Sequence, residues 1–190
     1  LYKPFVRVFT YKELTSSGNL VQDSGSSSGS AIQLRPGSGS DKMSWYGPYT
    51  VLPMGTFNAI FRIKILNPDP STEIVLDVAS FSGRTIETNR AMNATDLPGA
   101  TWVNVELSFP VREPRTFEFR GRVVGGQSVI LLDLIRIVQT SADTSLHDTG
   151  LLGAEVTITT CADAHPGKSI QTSSRTSGQS SQYRKGTWPS

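Results

Sequence analysis

From Thr56 onward the chain alternates. Phe57, Ala59, Phe61, Ile63 and Ile65 fall on one side, with Asn58, Arg62 and Lys64 on the other. A period of two puts successive side chains on opposite faces of an extended strand, so one face is apolar and the other meets water. Such a strand needs a second apolar layer to lie against. The same pattern returns at Ile74, Leu76 and Val78, and at Val103, Val105, Leu107 and Phe109, with Asn104, Glu106 and Ser108 opposite. It returns again at Phe117, Phe119 and Val123. Asn67-Pro68-Asp69-Pro70, Pro110, Glu113-Pro114-Arg115 and Gly125-Gly126 separate the runs, each a sequence that breaks a ladder or turns a chain.

Val129–Val138 is apolar on both faces. A strand covered from both sides reads this way, as does a buried helix; the preceding Gly-Gly and the β-branched residues favour the strand. Val6–Thr10, Ala31–Leu34 and Leu151–Thr160 are further strand candidates, and Ile86–Leu97 has room for a helical turn or two. Eight or nine short strands and no amphipathic helix predict an all-β chain, an antiparallel β-sandwich of jelly-roll type. The Cys…Trp…Cys spacing of an immunoglobulin domain is missing.

A chain of 190 residues has room for one domain. Residues 1–160 hold the strands. Beyond them the composition changes: residues 161–190 form a Ser-rich basic tail, with Lys168, Arg175, Arg184 and Lys185 against Asp163. The net charge of +2 is too small to steer the molecule toward nucleic acid. No run of about 18 apolar residues spans a membrane, and no basic-then-apolar leader precedes the strands. The chain begins at Leu1, which reads as a processed piece. The lone Cys161 closes no intrachain disulfide. With 24 Ser, 19 Thr and only 18% charged residues, plus an Asn93-Ala94-Thr95 glycosylation sequon, the composition points to an extracellular or cell-surface setting.

Four stretches carry a resemblance. Thr10-Tyr11-Lys12-Glu13-Leu14 is similar to an opening strand bearing a tyrosine and acids. Gly29–Leu34 is similar to the small-residue step into a short strand that follows. Tyr49–Phe57 is similar to a strand–Pro–x–Gly–x–aromatic corner, and Leu131–Ile137 to a closing strand with an embedded aspartate. Together these resemble carbohydrate-binding module families 6 and 35, the jelly-roll glycan-binding modules, over about residues 5–139. The resemblance implies a structural calcium with Glu13 and Asp133 as side-chain ligands. Here Lys12 stands where a second acid is usual. By alternation Asp133 shares a face with Val129, Leu131, Ile135 and Ile137, and a carboxylate there needs a partner; calcium, an arginine or backbone N–H groups would each serve.

The catalytic inventory is thin. His147 and His165 both lie after the main strands, Cys161 and His165 supply only half of a zinc ligand set, and no nucleophile-elbow or phosphate-loop motif is present. For sugar binding the useful groups are aromatic faces beside planar hydrogen-bonding side chains. Trp45, Tyr46 and Tyr49, near Asp41 and Lys42, and Trp102 are the candidate platforms. Trp45 and Trp102 also suit the alternative of capping the core. Arg112, Arg115, Arg120 and Arg122 are expected to face solvent, where a guanidinium would suit an acidic sugar. The expectation is a noncatalytic extracellular module whose partner is a polysaccharide or other glycan. The alternative is a structural subunit of a cell-surface or filamentous assembly, a homo-oligomer or filament whose neighbours are held by exchange of the N-terminal arm or the tail.

Overall fold

The alternating run at Thr56 is the longest regular element on its sheet apart from the strand beside it. In the computed structural model, which describes residues 4–36 and 42–142, it forms β7 (Gly55–Leu66), paired on one side with β10 (Trp102–Val111) and on the other with β12 (Val129–Ala142). β4 (Ser30–Leu34) continues the sheet along the first half of β12, and β3 (Asn19–Gln22) lies beyond it; β1 (Val6–Thr10) pairs with the second half. The facing sheet runs β2 (Thr15–Ser16), β5 (Trp45–Tyr46), β11 (Arg115–Val124), β8 (Glu73–Ser80), β9 (Thr85–Asn93), with β6 (Thr50–Leu52) also on β11. Every strand pair is antiparallel. The expected β-sandwich is present, and β1 bonds to its own sheet. The Leu151–Thr160 strand, the tail at 161–190, Asp41, Cys161, His147 and His165 lie outside the described residues.

The inward faces of the two sheets are filled by the residues that the alternation picked out. Phe57, Phe61, Ile63 and Ile65 meet Phe117, Phe119, Ile74 and Leu76, all fully buried. Phe109 sits at the centre of an aromatic cluster, its ring centroid 5.5 Å from Phe117, 6.0 Å from Phe57 and 6.3 Å from Phe119. Tilted and offset rings at these separations gain something beyond the area they bury.

Three local readings change in detail. Ile86–Leu97 holds a single helical turn, of 3₁₀ type at Ala94–Asp96, and its first part is edge strand β9. β9 faces water along most of its length, so its sequence carries no apolar period, and pairing with β8 decides its state. Thr10–Leu14 is not a strand. β1 stops at Thr10, and the Glu13 carboxylate turns back to accept from the Thr10 N–H (2.8 Å) and Oγ1 (2.9 Å).

The third correction concerns the closing strand. Along β12 the register slips between Leu132, opposite Ile63, and Leu134, opposite Arg62. Asp133 is the extra residue of a β-bulge, which reverses the alternation. Before it Ile130 and Leu132 point into the sandwich; after it Ile135 and Ile137 do. Val129 and Leu131 instead join a small outer cluster with Ala31 and the partly buried Val21, Leu66 and Trp102. Asp133 therefore does not share one face with Val129, Leu131, Ile135 and Ile137.

Gly121 of β11 stands opposite Trp45, and a Cβ there would lie 1.9 Å from the indole ring. Gly121→Val should thus lower stability by at least the 1–3 kcal/mol or so of core overpacking, read as a drop in the urea midpoint against wild type.

Candidate functional site

The water-facing side of β7 carries Asn58, Ile60, Arg62 and Lys64. Strand register fixes their neighbours. Ile60 lies between Glu106 of β10 and Arg136 of β12, and Val8 of β1 lies beyond Arg136. Arg62 lies between Asn104 and Leu134. Val8, Ile60 and Leu134 make an aliphatic floor; Arg62, Asn104 and Arg136 stand around it, with Gly25 and Ser27 closing one end. The groove has a volume of about 410 Å³.

The closing wall is the Ser/Gly-rich loop between β3 and β4, which has almost nothing apolar to bury. Polar ties hold it instead. The Ser27 N–H donates to both Asp133 oxygens at 3.0 Å, and its Oγ donates to Oδ1 at 2.8 Å. Arg62 forms an ion pair with the same carboxylate through Nη1 and donates from Nη2 to the Gly25 carbonyl at 3.1 Å. Asp23 pairs with Lys64, and this lysine is the main reason its carboxyl lies below the usual aspartate range.

The candidate residues from sequence are not brought together. Trp45 is fully buried against Gly121 and offers no face to a ligand; a large ring beside a glycine fills the core there. Trp102 belongs to the outer face of the first sheet. Its ring is flanked by the Arg62 guanidinium and the Lys64 ammonium, each 4.8 Å from its centroid, and Gly25 passes over its Nε1 edge. It walls the loop in place rather than standing open as a platform. Tyr46 (37% exposed) and Tyr49 (60% exposed) are accessible, but on the second sheet.

Beneath that tyrosine pair lies a charged cluster. Arg120, expected at the surface, is buried, with Nε 2.7 Å and Nη2 3.1 Å from the two oxygens of Asp77. Glu118 is also buried, 3.9 Å from Arg120 Nη1. Arg115 reaches Glu87 at 3.3 Å and lies over the Phe81 ring.

The two implied calcium ligands are both engaged by groups of the chain itself. Asp133 is fully engaged by a guanidinium, an N–H and a hydroxyl, and Glu13 caps its own turn. Among the described residues no three Asp, Glu, His or Cys side chains converge on one point.

The groove residues Arg62, Asn104 and Arg136 were not marked as a site by the sequence. The alternation placed Arg62 and Asn104 on the wet face, but nothing local shows that the 23–29 loop folds back and turns that face into a groove.

No protein-family profile matches the chain, and no curated protein matches it in sequence. Solved structures do. The xylan-binding module CBM15 superposes with a TM-score of 0.51 at 10% identity, over 74% of this chain and 99% of that one. The fold is the β-sandwich of carbohydrate-binding modules. A C-terminal CBM6 of a marine laminarinase from Zobellia galactanivorans gives 0.48 at 14% identity, over 71% of this chain and all of the other. A CBM6 from Cellvibrio mixtus lichenase 5A, solved with cellotriose, gives 0.47 at 16% identity, over 71% and 98%.

Two outcomes are expected. Adding EDTA or excess calcium leaves the melting temperature unchanged in a thermal scan, because Glu13 and Asp133 are each already engaged by groups of the chain. Burial raises the Glu118 carboxyl above its ordinary range, with the Asp77 charge adding to it and Arg120 opposing. A raised carboxyl favours the fold while protonated, and that contribution is lost as pH climbs through the raised value. Glu118→Gln should therefore raise the melting temperature at neutral pH, with the gain shrinking to nothing below the usual glutamate range.

Proposed function

We propose that this chain is a noncatalytic, extracellular carbohydrate-binding module and that it takes its glycan in the groove over β10, β7, β12 and β1. The groove itself carries the proposal. Its side chains sit on strands of a hydrogen-bonded sheet, so they are pre-positioned. Its aliphatic floor suits the C–H face of a sugar ring, and guanidinium and amide groups around it suit hydroxyl oxygens. A volume of about 410 Å³ falls within the roughly 300–1,000 Å³ of small-ligand sites.

The lining supports binding rather than hydrolysis. Glycosidases use a pair of Asp or Glu side chains about the scissile bond, and among the described residues none lines this groove. That CBM15 binds xylan on the same fold supports the reading.

The tyrosine pair on the second sheet is the rival location, favoured by the exposure of Tyr46 and Tyr49. Affinity electrophoresis through gels containing soluble polysaccharides separates the two. Wild type is retarded by at least one polysaccharide, and Asn104→Ala weakens that retardation several-fold, the size of one lost hydrogen bond. The Tyr46→Ala/Tyr49→Ala double variant leaves it unchanged. Absence of retardation in every gel sinks the proposal; loss confined to the tyrosine variant moves the site to the other sheet.

A further inference from the structure

We infer that the groove is built for an acidic saccharide, one whose repeating unit carries a carboxylate or sulfate group, and that Arg136 receives the anion; this rests on the groove being the glycan site. The argument begins with charge. Among the described residues, two arginines and no Asp or Glu line the groove. The chain as a whole carries only +2, so this concentration is local.

The cations of the sheet face differ in whether they are already answered. Arg62 is paired with Asp133 and bonded to the Gly25 carbonyl, and Lys64 is paired with Asp23. Arg136 is exposed, and among the described residues no carboxylate lies within 4 Å of its guanidinium. Glu106 shares its cross-strand row but is separated from it by β7, and its carboxylate accepts from Asn58 Nδ2 at 3.2 Å. Val8 opposite and Leu134 on the same strand put apolar rather than anionic neighbours beside the arginine in the groove lining.

Hydrogen-bond polarity gives the same answer. Neutral sugar hydroxyls donate as well as accept, so a site for them supplies acceptors too. Here the guanidiniums are donors only, and the Gly25 carbonyl already accepts from Arg62. Among the described lining side chains, acceptors are limited to the Asn104 carbonyl and the Ser27 hydroxyl, which is itself bonded to Asp133. A ligand whose groove-facing atoms are mostly acceptors matches this set, and a carboxylate or sulfate meets the planar fork of a guanidinium with two oxygens at once.

The test uses matched pairs that differ in charge: polygalacturonate against its methyl ester, and dextran sulfate against dextran, by affinity electrophoresis at low and high salt. Wild type should bind the charged member of at least one pair tenfold or more tightly, and the pair that discriminates names the anion. Arg136→Gln should erase that preference, and Arg136→Lys, which keeps charge without the fork, should restore part of it. Arg112→Gln, at an exposed arginine outside the groove, should leave it intact. Urea midpoints matching wild type show that the variants are folded. Equal binding to charged and neutral members overturns the anion assignment while leaving the glycan reading standing. Equal losses from Arg112→Gln and Arg136→Gln overturn it in favour of bulk charge. No binding to any polysaccharide, charged or neutral, overturns the glycan reading itself.

Discussion

A carboxylate cannot be buried alone, and the side chain of Asp133 has no exposure at all. Leaving such a group uncompensated costs several kcal/mol, so whatever answers it is under strong constraint. Two features follow from that one residue. The bulge at Asp133 takes its side chain out of the alternation and lets β12 present apolar residues inward on both sides of the slip. The same carboxylate then fixes Ser27 and Arg62, and through Arg62 the Gly25 carbonyl. A loop of glycines and serines, with no side chain worth burying, is thereby given a defined position over the sheet. The wall of the groove exists because a buried charge needed partners.

The aromatic residues show the same economy from the other side. Trp45 spends its ring on filling the space that Gly121 leaves, and Trp102 spends its own between two cations and under a loop. A cation near an indole face is worth roughly 0.5–2 kcal/mol depending on how far water is excluded. These rings are structural for the reason that large aromatics usually are: they bury the most area per residue. What remains facing the groove is aliphatic, cationic and, at Asn104 and Ser27, neutral polar, a lining suited to charge and hydrogen bonding more than to stacking.

Much of the sandwich was legible in the chain because β7, β8, β10 and β11 each alternate apolar residues with others, whether the second face meets water, as on β10, or closes over a charged cluster, as at Asp77, Glu118 and Arg120. β9 was missed because it is wet on nearly every residue, so no period marks it. The turn at Tyr11–Glu13 was missed because a tyrosine and an acid within a β-rich stretch look like a strand until the carboxylate is seen bonding back to Thr10. For Asp133 the sequence left three partners open, and the structure supplies two of them, an arginine 71 positions away and an N–H 106 positions away. The candidate site was the least legible part. Arg62 and Arg136 are separated by a strand boundary and a bulge, and their closeness depends on register that no local pattern encodes.

Arginines in this fold sort by company. Arg120 is bidentate on Asp77, Arg115 reaches Glu87 and stacks on Phe81, and Arg62 holds Asp133. Each is tied to a carboxylate supplied by another segment, and each fixes a strand, a turn or a loop. A guanidinium so engaged has little left to offer a ligand, since its planar fork is already filled. Arg136 stands on the same kind of strand, in the same kind of register, yet no described carboxylate answers it. Arg7, Arg35, Arg84, Arg90, Arg112 and Arg122 also have no carboxylate partner among the described residues. What sets Arg136 apart is its place: of the described arginines without a carboxylate partner, it is the one that lines the groove, beside Val8 and Leu134.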